Sequence, residues 1–525
     1  MIDWLEDKRV AVIKESAAYP KQPPYHPSER YPEWNGHPVS EEKNSVYLSI
    51  RKLFLTLGLD AANFNSPEWN PLGELIRPGD RVVLKPNAVL HTNLGVKAGL
   101  TDTDSLVTHG SVIRAVLDYT GKALNGRGKV IIGDCPIQGA DWEKLLKLMG
   151  LHEIQTYFQE YFPGIEICIE DYRLGKAVVR KGAAIERIID ERHLDNYEEV
   201  DLGNDSLLVP LMNSTCEISC EFGVIQYPKH RMKKAHTPET NKFLFSKDLL
   251  CADVFINLPK MKTHMKSGIT CALKNLVGIN GHKDYLPHFR FGSPKNGGDE
   301  YPDGNWYWDL VWWIIHREWD LDRGNVKKFL ILISKFLGLF LPWFSRIPRA
   351  SLYCLGGGSW HGNDTIWRMV LDLNRAFFYF DRNQRAVTSS QTGKVRYLAI
   401  LDGIVAGQGE GPLSPTPCSC GILIGSVNPL AMDAVAAAIM GFNTDKIKKI
   451  TEGFRIKSLP LASFQMNEID IRGNLQAKSI DDIYRLQEYH NFIPSFGFRG
   501  HIEINENNLP LESQYMELSK GFSQI

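Results

Sequence analysis

The sequence predicts an α/β fold in which a mostly parallel sheet, flanked by helices, forms a Rossmann-like three-layer arrangement. Three observations predict this class. Short apolar runs with the length of buried strands recur along the chain, and segments with helical spacing of apolar residues separate them. A strand, a helix and a second strand follow one another between residues 81 and 134, as in a βαβ unit. Several of the apolar runs end in Lys, Asn or Asp.

The individual elements are predicted from the same two patterns, taken in chain order. In the first half they are a helix at 46–60, a strand at 82–84, a helix at 105–124, a strand at 129–133, a helix at 140–163, and β-like runs within 164–225. In the second half they are a strand at 253–258, a strand at 397–402, a strand at 421–425 and a small-residue helix at 430–441.

Changes in composition divide the chain into segments. The predicted segments are an N-terminal extension with one short strand at 1–45, an α/β domain at 46–299, an apolar, tryptophan-rich helical insert at 300–350, a continuation of the α/β domain at 351–450 and a C-terminal segment at 451–525. The continuation contains a glycine-rich stretch at 403–417, which is predicted as a loop that wraps a ligand.

Composition excludes several classes of protein. With 43% hydrophobic residues and a net charge of -1 over 525 residues, the chain is not of the disordered type. The balance of charges also argues against a nucleic-acid partner, because no global basic field would attract phosphate backbones. The N-terminus has no apolar core of signal-peptide length, and the 9 cysteines are scattered, so we expect a cytoplasmic protein with reduced thiols.

Polar side chains follow four of the predicted strands. They are Lys85 with Asn87, Asp134, Lys260, and Asp402. In open α/β sheets ligands bind beyond the carboxyl ends of the strands, so this repeated placement predicts a site there. For the two aspartates, an ordinary helix-capping or turn role is the alternative interpretation.

The strongest indication of a site is the segment 260–283, which contains five lysines and two histidines but no Asp or Glu. Its cations alternate with glycine, threonine and serine, which let backbone N–H groups approach an anion. We predict a pocket for phosphate, carboxylate or a nucleotide diphosphate, with a merely basic surface as the alternative. The predicted substrate-binding residues are Asn87, Lys260, Lys274, Asn275, Lys283, Asp134, Asp402, Gly409 and Glu410.

Histidine and lysine side chains in such a cluster can transfer protons. Neighbouring ammonium groups lower the pKa of an imidazole or of another ammonium group, which favours the neutral, basic form. The predicted catalytic residues are Lys262, His264, Lys85 and His282. The alternative is that the cations only bind the ligand. No residue is assigned as a metal ligand, although the Cys418-x-Cys420 pair could contribute two ligands to a metal site.

Several motifs together resemble the domain-of-unknown-function family 362. They are LKPN at 84–87, VIIGDCP at 130–136, INLPKMKTHMKSGITCALKNLVGINGHK at 256–283, LDGIVAGQGEGP at 401–412 and NPLAMDAVAAAIMG at 428–441. The stretch at 358–375 looks like the longer branch of that family, which is often associated with bacterial cell-surface polysaccharide loci.

The resemblance implies an α/β fold and leaves the cofactor open. Many members of the family carry a ferredoxin-like segment with clustered C-x-x-C ligands, whereas this chain has no C-x-x-C-x-x-C run, so a bound iron–sulfur cluster is not expected. The segment around PGDRVVLKPN is also distantly similar to the nickel-dependent lactate racemase family, whose paired-histidine motif is absent. A metal remains compatible with the sequence.

Eight of the 12 tryptophans fall between Trp306 and Trp367, within and just after the insert. Residues 329–344 contain 12 large apolar side chains, but a helix of that length is about 24 Å long and would not cross a hydrocarbon core of about 30 Å. We therefore predict a peripheral membrane contact through 306–349, at the inner face of the membrane. A buried subdomain or a homodimer interface is the alternative.

The sequence as a whole predicts an enzyme that acts on an anionic or lipid-linked small molecule by Lys/His acid–base chemistry. The substrate would be phosphorylated or carboxylated and could carry a sugar, in keeping with bacterial polysaccharide biosynthesis. An isomerase, epimerase or transferase reaction is expected. Two alternatives stay open: a metal- or iron–sulfur-dependent redox protein, and a non-catalytic, membrane-associated assembly factor.

Overall fold

A mixed, mostly parallel sheet forms the centre of the molecule. The computed structural model describes residues 3–15, 18–95, 103–180, 183–189, 191–212, 221–227, 229–302, 306–321, 323–340, 356–380 and 395–504. The strands of this part of the chain are β1 Arg9–Lys14, β2 Arg81–Pro86, β3 Gly128–Asp134, β4 Ile165–Asp171, β5 Gly175–Arg180, β6 Ala183–Ile189, β7 Tyr197–Asp201, β8 Phe222–Gly223, β9 Lys242–Ser246, β10 Val254–Leu258, β11 Lys260–His264, β12 Gly268–Ile269, β13 Phe289–Arg290, β14 Arg396–Glu410, β15 Ser414–Ser426 and β16 Asp470–Gly473.

The helices lie mainly between these strands. In the described ranges they are α1 Ser45–Thr56, α2 Gly110–Leu124, α3 Trp142–Met149, α4 Leu151–Tyr161, α5 Val209–Met212, α6 Lys229–Ala235, α7 Lys247–Leu250, α8 Cys271–Asn275, α9 Trp306–Trp319, α10 Asn325–Gly338, α11 Ile366–Tyr379, α12 Pro429–Ile439, α13 Lys448–Arg455 and α14 Ile480–Arg485.

The central sheet has the strand order β16-β1-β15-β14-β10-β2-β3-β4, and β11 and β12 extend it beside β14. Strands β14, β10, β2, β3 and β4 are parallel to their neighbours in that order, as are β1 and β16. The antiparallel pairs of this sheet are β1 with β15, β14 with β15 and β11 with β12. This topology confirms the predicted α/β class with a mostly parallel sheet.

The two faces of the sheet build two separate apolar cores. Along β2, Val82 and Leu84 belong to one core, whereas Val83 belongs to the other. Successive side chains of a strand point to opposite faces, so continuous apolar runs such as this one are suited to a sheet that is covered on both sides. Helices α1 to α4 pack on the first core, and α8, α11, α12, α13 and α14 pack on the second. The arrangement has the predicted three layers.

Two of the predicted helices differ from the structure by a late start or an internal break. The helix expected from 105 begins only at Gly110, because the His109 side chain accepts a hydrogen bond from the Ser111 N–H (3.2 Å) and caps it. The helix expected at 140–163 is divided into α3 and α4. Gly150 separates them with φ +65°, the left-handed conformation that ends a helix at little cost for glycine.

The prediction of a glycine-rich loop at 403–417 is wrong. This segment lies in a long antiparallel hairpin formed by β14 and β15, whose pairing continues from Ala399 opposite Ser426 to Glu410 opposite Ser414. Gly407 and Gly411 permit close packing instead of loop flexibility. A Cβ on Gly407 would lie 2.8 Å from the Ser105 carbonyl oxygen.

The described part of the insert is a pair of helices, α9 and α10, that contact each other. Trp312 and Trp319 of α9 join a cluster with Phe289 and Phe291 of the α/β body. In the ranges that the structure describes, no helix combines the length and the apolar character that crossing a bilayer requires. Residues 341–349 of the predicted membrane contact lie outside the described residues.

Candidate functional site

Strand β11 places three predicted site residues in a row beyond the carboxyl end of β10. It follows β10 after Pro259 and runs parallel to β14, with Lys260 opposite Asp402. Because alternate side chains of a strand share a face, Lys260, Lys262 and His264 project from the same side, about 7 Å apart from one to the next. All three are buried.

Two of the predicted lysines are neutralised by predicted aspartates. The Lys85 ammonium lies 2.7 Å from Asp134 Oδ1, and the Lys260 ammonium lies 3.0 Å from Asp402 Oδ2. Tyr19, from the N-terminal extension, joins the second pair and accepts a hydrogen bond from Lys260 at 2.7 Å. These contacts give each of the four charged groups a buried counterion. The pKa of Lys85 is nevertheless lowered, and burial is the main cause.

Close packing around the first pair explains one glycine of the 260–283 segment. A Cβ on Gly278 would lie 2.0 Å from Asp134 Oδ1 and 2.6 Å from the Lys85 ammonium nitrogen. The backbone of Gly278 therefore occupies space that any other residue would need for its side chain. The Gly278 carbonyl also accepts a hydrogen bond from the Cys135 N–H at 2.8 Å.

A third buried ion pair fixes the start of α8. Lys449 lies 2.6 Å from Asp433 Oδ2, and Asp433 Oδ1 accepts a hydrogen bond from the Ala272 N–H at 2.6 Å. The Lys449 ammonium also donates to the Thr270 carbonyl at 2.9 Å. Cys271, between these contacts, has φ +48°, a conformation that is uncommon for a residue with a side chain. The pair holds the turn that leads into Lys274.

Four further lysines of the cluster have no carboxylate partner among the described residues. The Lys262 ammonium donates to Asn87 Oδ1 (2.9 Å) and to the Leu106 carbonyl (2.6 Å). Lys283 donates to two backbone carbonyls at 3.3 and 3.4 Å. Lys266 donates to the carbonyl of Gly357 and to a serine hydroxyl. Lys274, 7% exposed, forms neither a hydrogen bond nor an ion pair through its ammonium group with the described residues.

The pKa values of Lys262, Lys266 and Lys274 reflect burial without a paired carboxylate. Burial and the ammonium groups of Lys283 and other lysines hold the pKa of Lys274 well below its ordinary value. Burial and the Lys260 charge do the same for Lys262. Burial lowers the pKa of Lys266 to about 7, although the carboxyl of Glu300 acts in the opposite direction. The charged forms of these lysines are therefore destabilised, because the site lacks negative charge to balance them.

Two histidines lie in the same electrostatic environment. Burial, Lys274 and Lys266 hold the pKa of His264 well below its ordinary value, as the sequence predicts for an imidazole among lysines. His264 Nδ1 accepts a hydrogen bond from the Lys266 N–H at 3.0 Å, so its remaining proton is on Nε2. His288 is 2.7 Å from the Leu286 carbonyl through Nδ1, and burial and Lys274 hold its pKa well below the ordinary value.

A network of asparagine side chains connects the strands to α8. Asn275 Oδ1 accepts hydrogen bonds from Asn87 Nδ2 at 3.0 Å and from the Lys85 ammonium at 3.3 Å. Asn275 Nδ2 donates to Asn257 Oδ1 at 2.7 Å. The network brings Asn87 and Asn275 together as the sequence predicts, and it also aligns the Lys262 ammonium, which donates to Asn87.

Glu410 lies at the tip of the hairpin, next to β11. Its Oε1 accepts a hydrogen bond from the Phe496 N–H at 2.8 Å, whereas the buried Oε2 has no partner in the described part of the chain. Burial raises the pKa of this carboxyl to about 7. Gly409, with φ +76°, accepts a hydrogen bond from Thr263 Oγ1 at 2.8 Å through its carbonyl. The tip thus places a second titratable group beside the cationic strand.

His282 has contacts of its own. Its Nδ1 accepts a hydrogen bond from the Asp284 N–H and lies 3.3 Å from Asp284 Oδ2. Its ring packs edge-on against Tyr227. His282 is therefore held against Asp284 and Tyr227.

Sequence reasoning missed several members of the site. Lys266 is one of the five lysines of 260–283 that predict the anion pocket, but it was not among the assigned site residues, and neither was His288. Lys449 and Asn257 reach the site only through the tertiary structure. Tyr19 had no signal, because its partners lie more than 200 residues away in the sequence.

The Cys418 and Cys420 sulfur atoms are 3.6 Å apart on β15. Among the residues that the structure describes, His, Cys, Asp and Glu side chains do not form a group of three that could hold a metal ion.

The fold and the site together define an α/β protein with a buried cluster of lysines and histidines at the carboxyl ends of parallel strands. Residues 218–438 match the model of the family described as Domain of unknown function (DUF362). The match includes β11, α8, both strands of the hairpin and most of α12.

The chain is also similar to a thylakoid-associated protein of Synechocystis sp., with 24% identity over 258 residues. The alignment covers 49% of this chain and 53% of the relative, so it spans about half the length of that protein. No solved structure matches the chain.

Proposed function

We propose that the protein is an enzyme that binds an anionic substrate among Lys262, Lys266, Lys274 and Lys283 and transfers a proton within it. One observation carries this proposal: four lysines of one buried cluster lack a carboxylate partner in the described part of the chain. An ammonium group buried without a counterion is costly, and a phosphate or carboxylate would supply the missing negative charge.

The surrounding ion pairs support a binding role for the four lysines. Lys85, Lys260 and Lys449 each have a buried aspartate, so the fold neutralises three of the lysines and leaves the others available. A lysine side chain is a compact point charge with three donors, suited to the oxygens of a phosphate or carboxylate. The His264 Nε2–H is a further donor on the same strand.

Proton transfer is supported by the two groups whose pKa lies near neutrality. A general acid or base is most effective when its pKa is close to the working pH. Burial brings the pKa of both Lys266 and Glu410 to about 7, from opposite directions. We infer that Lys266, itself a member of the lysine cluster, is protonated once an anion is bound and acts as the general acid, with His264 as a neutral hydrogen-bond donor, and that Glu410 is the second candidate for proton transfer.

For the biological setting we propose a sugar-linked substrate in bacterial cell-surface polysaccharide metabolism, converted by an isomerase, epimerase or transferase reaction. The resemblance of residues 358–375 to the longer branch of the family supports this setting. We further propose that the protein acts in the cytoplasm at the inner face of the membrane. The description of the Synechocystis relative as thylakoid-associated supports the membrane location.

Calorimetric titration with inorganic phosphate and with sulfate tests the binding site. We expect wild-type protein to bind both anions, and Lys274→Met to bind them roughly 10- to 100-fold more weakly, because a charge-assisted hydrogen bond is lost. Lys446→Met, at an exposed lysine outside the cluster, is the matched control and should bind as wild type does.

The stability of the variant separates loss of binding from loss of folding. Replacing a buried, uncompensated ammonium by an apolar side chain of similar length is neutral or stabilising, so Lys274→Met should unfold at the wild-type temperature or above it. Unaltered binding of both anions by a folded Lys274→Met protein would refute the proposed site. Deuterium exchange from solvent into bound sugar phosphates, followed by NMR, tests proton transfer and should disappear in Lys266→Met.

A further inference from the structure

The two helices of the insert expose large apolar side chains to solvent. Trp313 on α9 is 55% exposed, and Phe329 and Leu332 on α10 are 60% and 67% exposed. A contiguous apolar surface on a protein marks a site of interaction with another protein or a membrane. We call this surface of the helical pair α9 and α10 the hairpin face; it is unrelated to the β14–β15 hairpin. The exposed residues that define it are Leu310, Trp313, Val326, Phe329, Leu332 and Phe336.

The spacing of these residues places them on one side of each helix. On α10 they recur every three or four positions, which corresponds to a single stripe along the helix. The insert is fixed to the rest of the protein by other side chains: Trp312 and Trp319 pack with Phe289 of the α/β body. The two helices are joined by a hydrogen bond of 2.9 Å from the Tyr307 hydroxyl to the Leu337 carbonyl.

On α10 the charges beside the hairpin face are positive, whereas on α9 the exposed Asp309 lies next to Leu310. Helix α10 contains three lysines and no acidic residue. Lys328 and Lys335 are exposed on α10, and the Arg317 guanidinium lies 5.3 Å from the Trp313 ring centroid. Apolar side chains bordered by cations are complementary to a lipid surface with anionic headgroups. Contact between two copies of the same face would instead bring like charges together.

We propose that the hairpin face is a docking surface for a bilayer that contains anionic lipids. Its aromatic and aliphatic side chains enter the boundary between headgroups and acyl chains, and Lys328 and Lys335 contact lipid phosphates. The helices lie along the surface of the bilayer, and the α/β body remains in water.

The hairpin face and the lysine cluster are connected by a short stretch of backbone. Lys266 donates to the carbonyl of Gly357, and the adjacent Gly356 packs so tightly on α9 that a Cβ there would lie 2.1 Å from the Trp312 indole. The exposed apolar residues and the charges of the hairpin face support the docking surface independently of the function proposed for the lysine cluster.

Flotation of the full-length protein with vesicles tests the docking surface. The vesicles are phosphatidylcholine alone and phosphatidylcholine mixed with phosphatidylglycerol. We expect flotation with the mixed vesicles and at least roughly tenfold weaker binding of the double variant L332S/F336S, since each side chain loses its apolar burial. Leu486→Ser, at a leucine that is 38% exposed outside the insert, is the matched control and should float as wild type does.

A second variant tests the contribution of charge. Lys328→Glu should weaken flotation with the mixed vesicles, and added salt should weaken the flotation of the wild type. Wild-type protein that floats with neither kind of vesicle would overturn the proposal, as would unaltered flotation of the folded L332S/F336S protein. Sedimentation equilibrium tests whether a second copy of the chain covers the hairpin face. A wild-type dimer that L332S/F336S converts to a monomer would show that it does, and would also overturn the proposal.

Discussion

Raising the pH from 7 to 9 is expected to weaken sulfate binding at the lysine cluster by about fifty-fold, because Lys266 loses its proton in this range. Burial lowers the pKa of Lys266 to about 7 in the free protein. A bound dianion beside the ammonium group favours its charged form and returns its pKa toward the ordinary value of 10.5.

The magnitude follows from the linkage between proton and anion binding. At pH 7 about half of the Lys266 side chains are charged, and at pH 9 about one in a hundred, whereas the bound state stays protonated at both values. The anion must then bind together with a proton at the higher pH. The resulting loss is about 2 kcal/mol of binding free energy, which corresponds to the fifty-fold change.

Isothermal titration calorimetry with sulfate at constant ionic strength is the appropriate assay, since sulfate remains a dianion throughout this range. Repeating the titration in buffers of different ionisation enthalpy gives the number of protons taken up, which we expect to approach one near pH 8. Lys266→Met should bind more weakly at pH 7 and show little dependence on pH. Lys446→Met should reproduce the wild-type dependence.

Two results would refute this reasoning. One is a sulfate affinity in the wild type that is the same at pH 7 and pH 9. The other is an equal pH dependence in the wild type and in Lys266→Met, which would assign the titration to a different group.

Three further substitutions test the structure around the site. Gly278→Ala should lower the free energy of unfolding by about 3 kcal/mol or more, because its Cβ would lie 2.0 Å from Asp134 Oδ1, and thermal unfolding measures this loss. Asp402→Asn should destabilise by roughly 3–5 kcal/mol in denaturant unfolding, since it leaves the Lys260 ammonium without its carboxylate; a loss below 1 kcal/mol would contradict the buried ion pair. Glu410→Gln should gain about 3 kcal/mol of stability relative to wild type as the pH rises from 4.5 to 7. The reason is that the raised pKa of Glu410 makes the folded wild type lose stability as its carboxyl ionises. A stability difference between the two proteins that stays constant over that range would contradict this expectation.

The layers of the fold could be predicted from local patterns. Strands such as β2 and β10 each contain three consecutive apolar residues, 82–84 and 254–256, because helices cover both faces of the sheet. The hairpin of β14 and β15 could not be predicted from local patterns, because its glycines and prolines are typical of loops. Those glycines instead reflect close packing, as at Gly407 beside Ser105, and close packing is a tertiary property.

The residue composition of the candidate site was predictable from the sequence, but the ion pairs within the site were not. The absence of acidic residues from 260–283 predicts the excess of cations that the structure places together. Which lysines are neutralised depends on the order of the strands: Asp134 reaches Lys85 because β2 and β3 are adjacent, and Asp402 reaches Lys260 because β14 lies beside β11. These contacts join residues that are distant in sequence, so no local pattern indicates them.

A crystal structure of the protein grown with sulfate tests the central claim most directly. We predict a sulfate ion with oxygen atoms within hydrogen-bond distance of the Lys274 ammonium and of at least one of Lys262, Lys266 and Lys283, and no such ion in crystals of Lys274→Met. A structure in which a carboxylate of the chain itself occupies that position would contradict the claim, as would a cluster that stays free of anions at saturating sulfate.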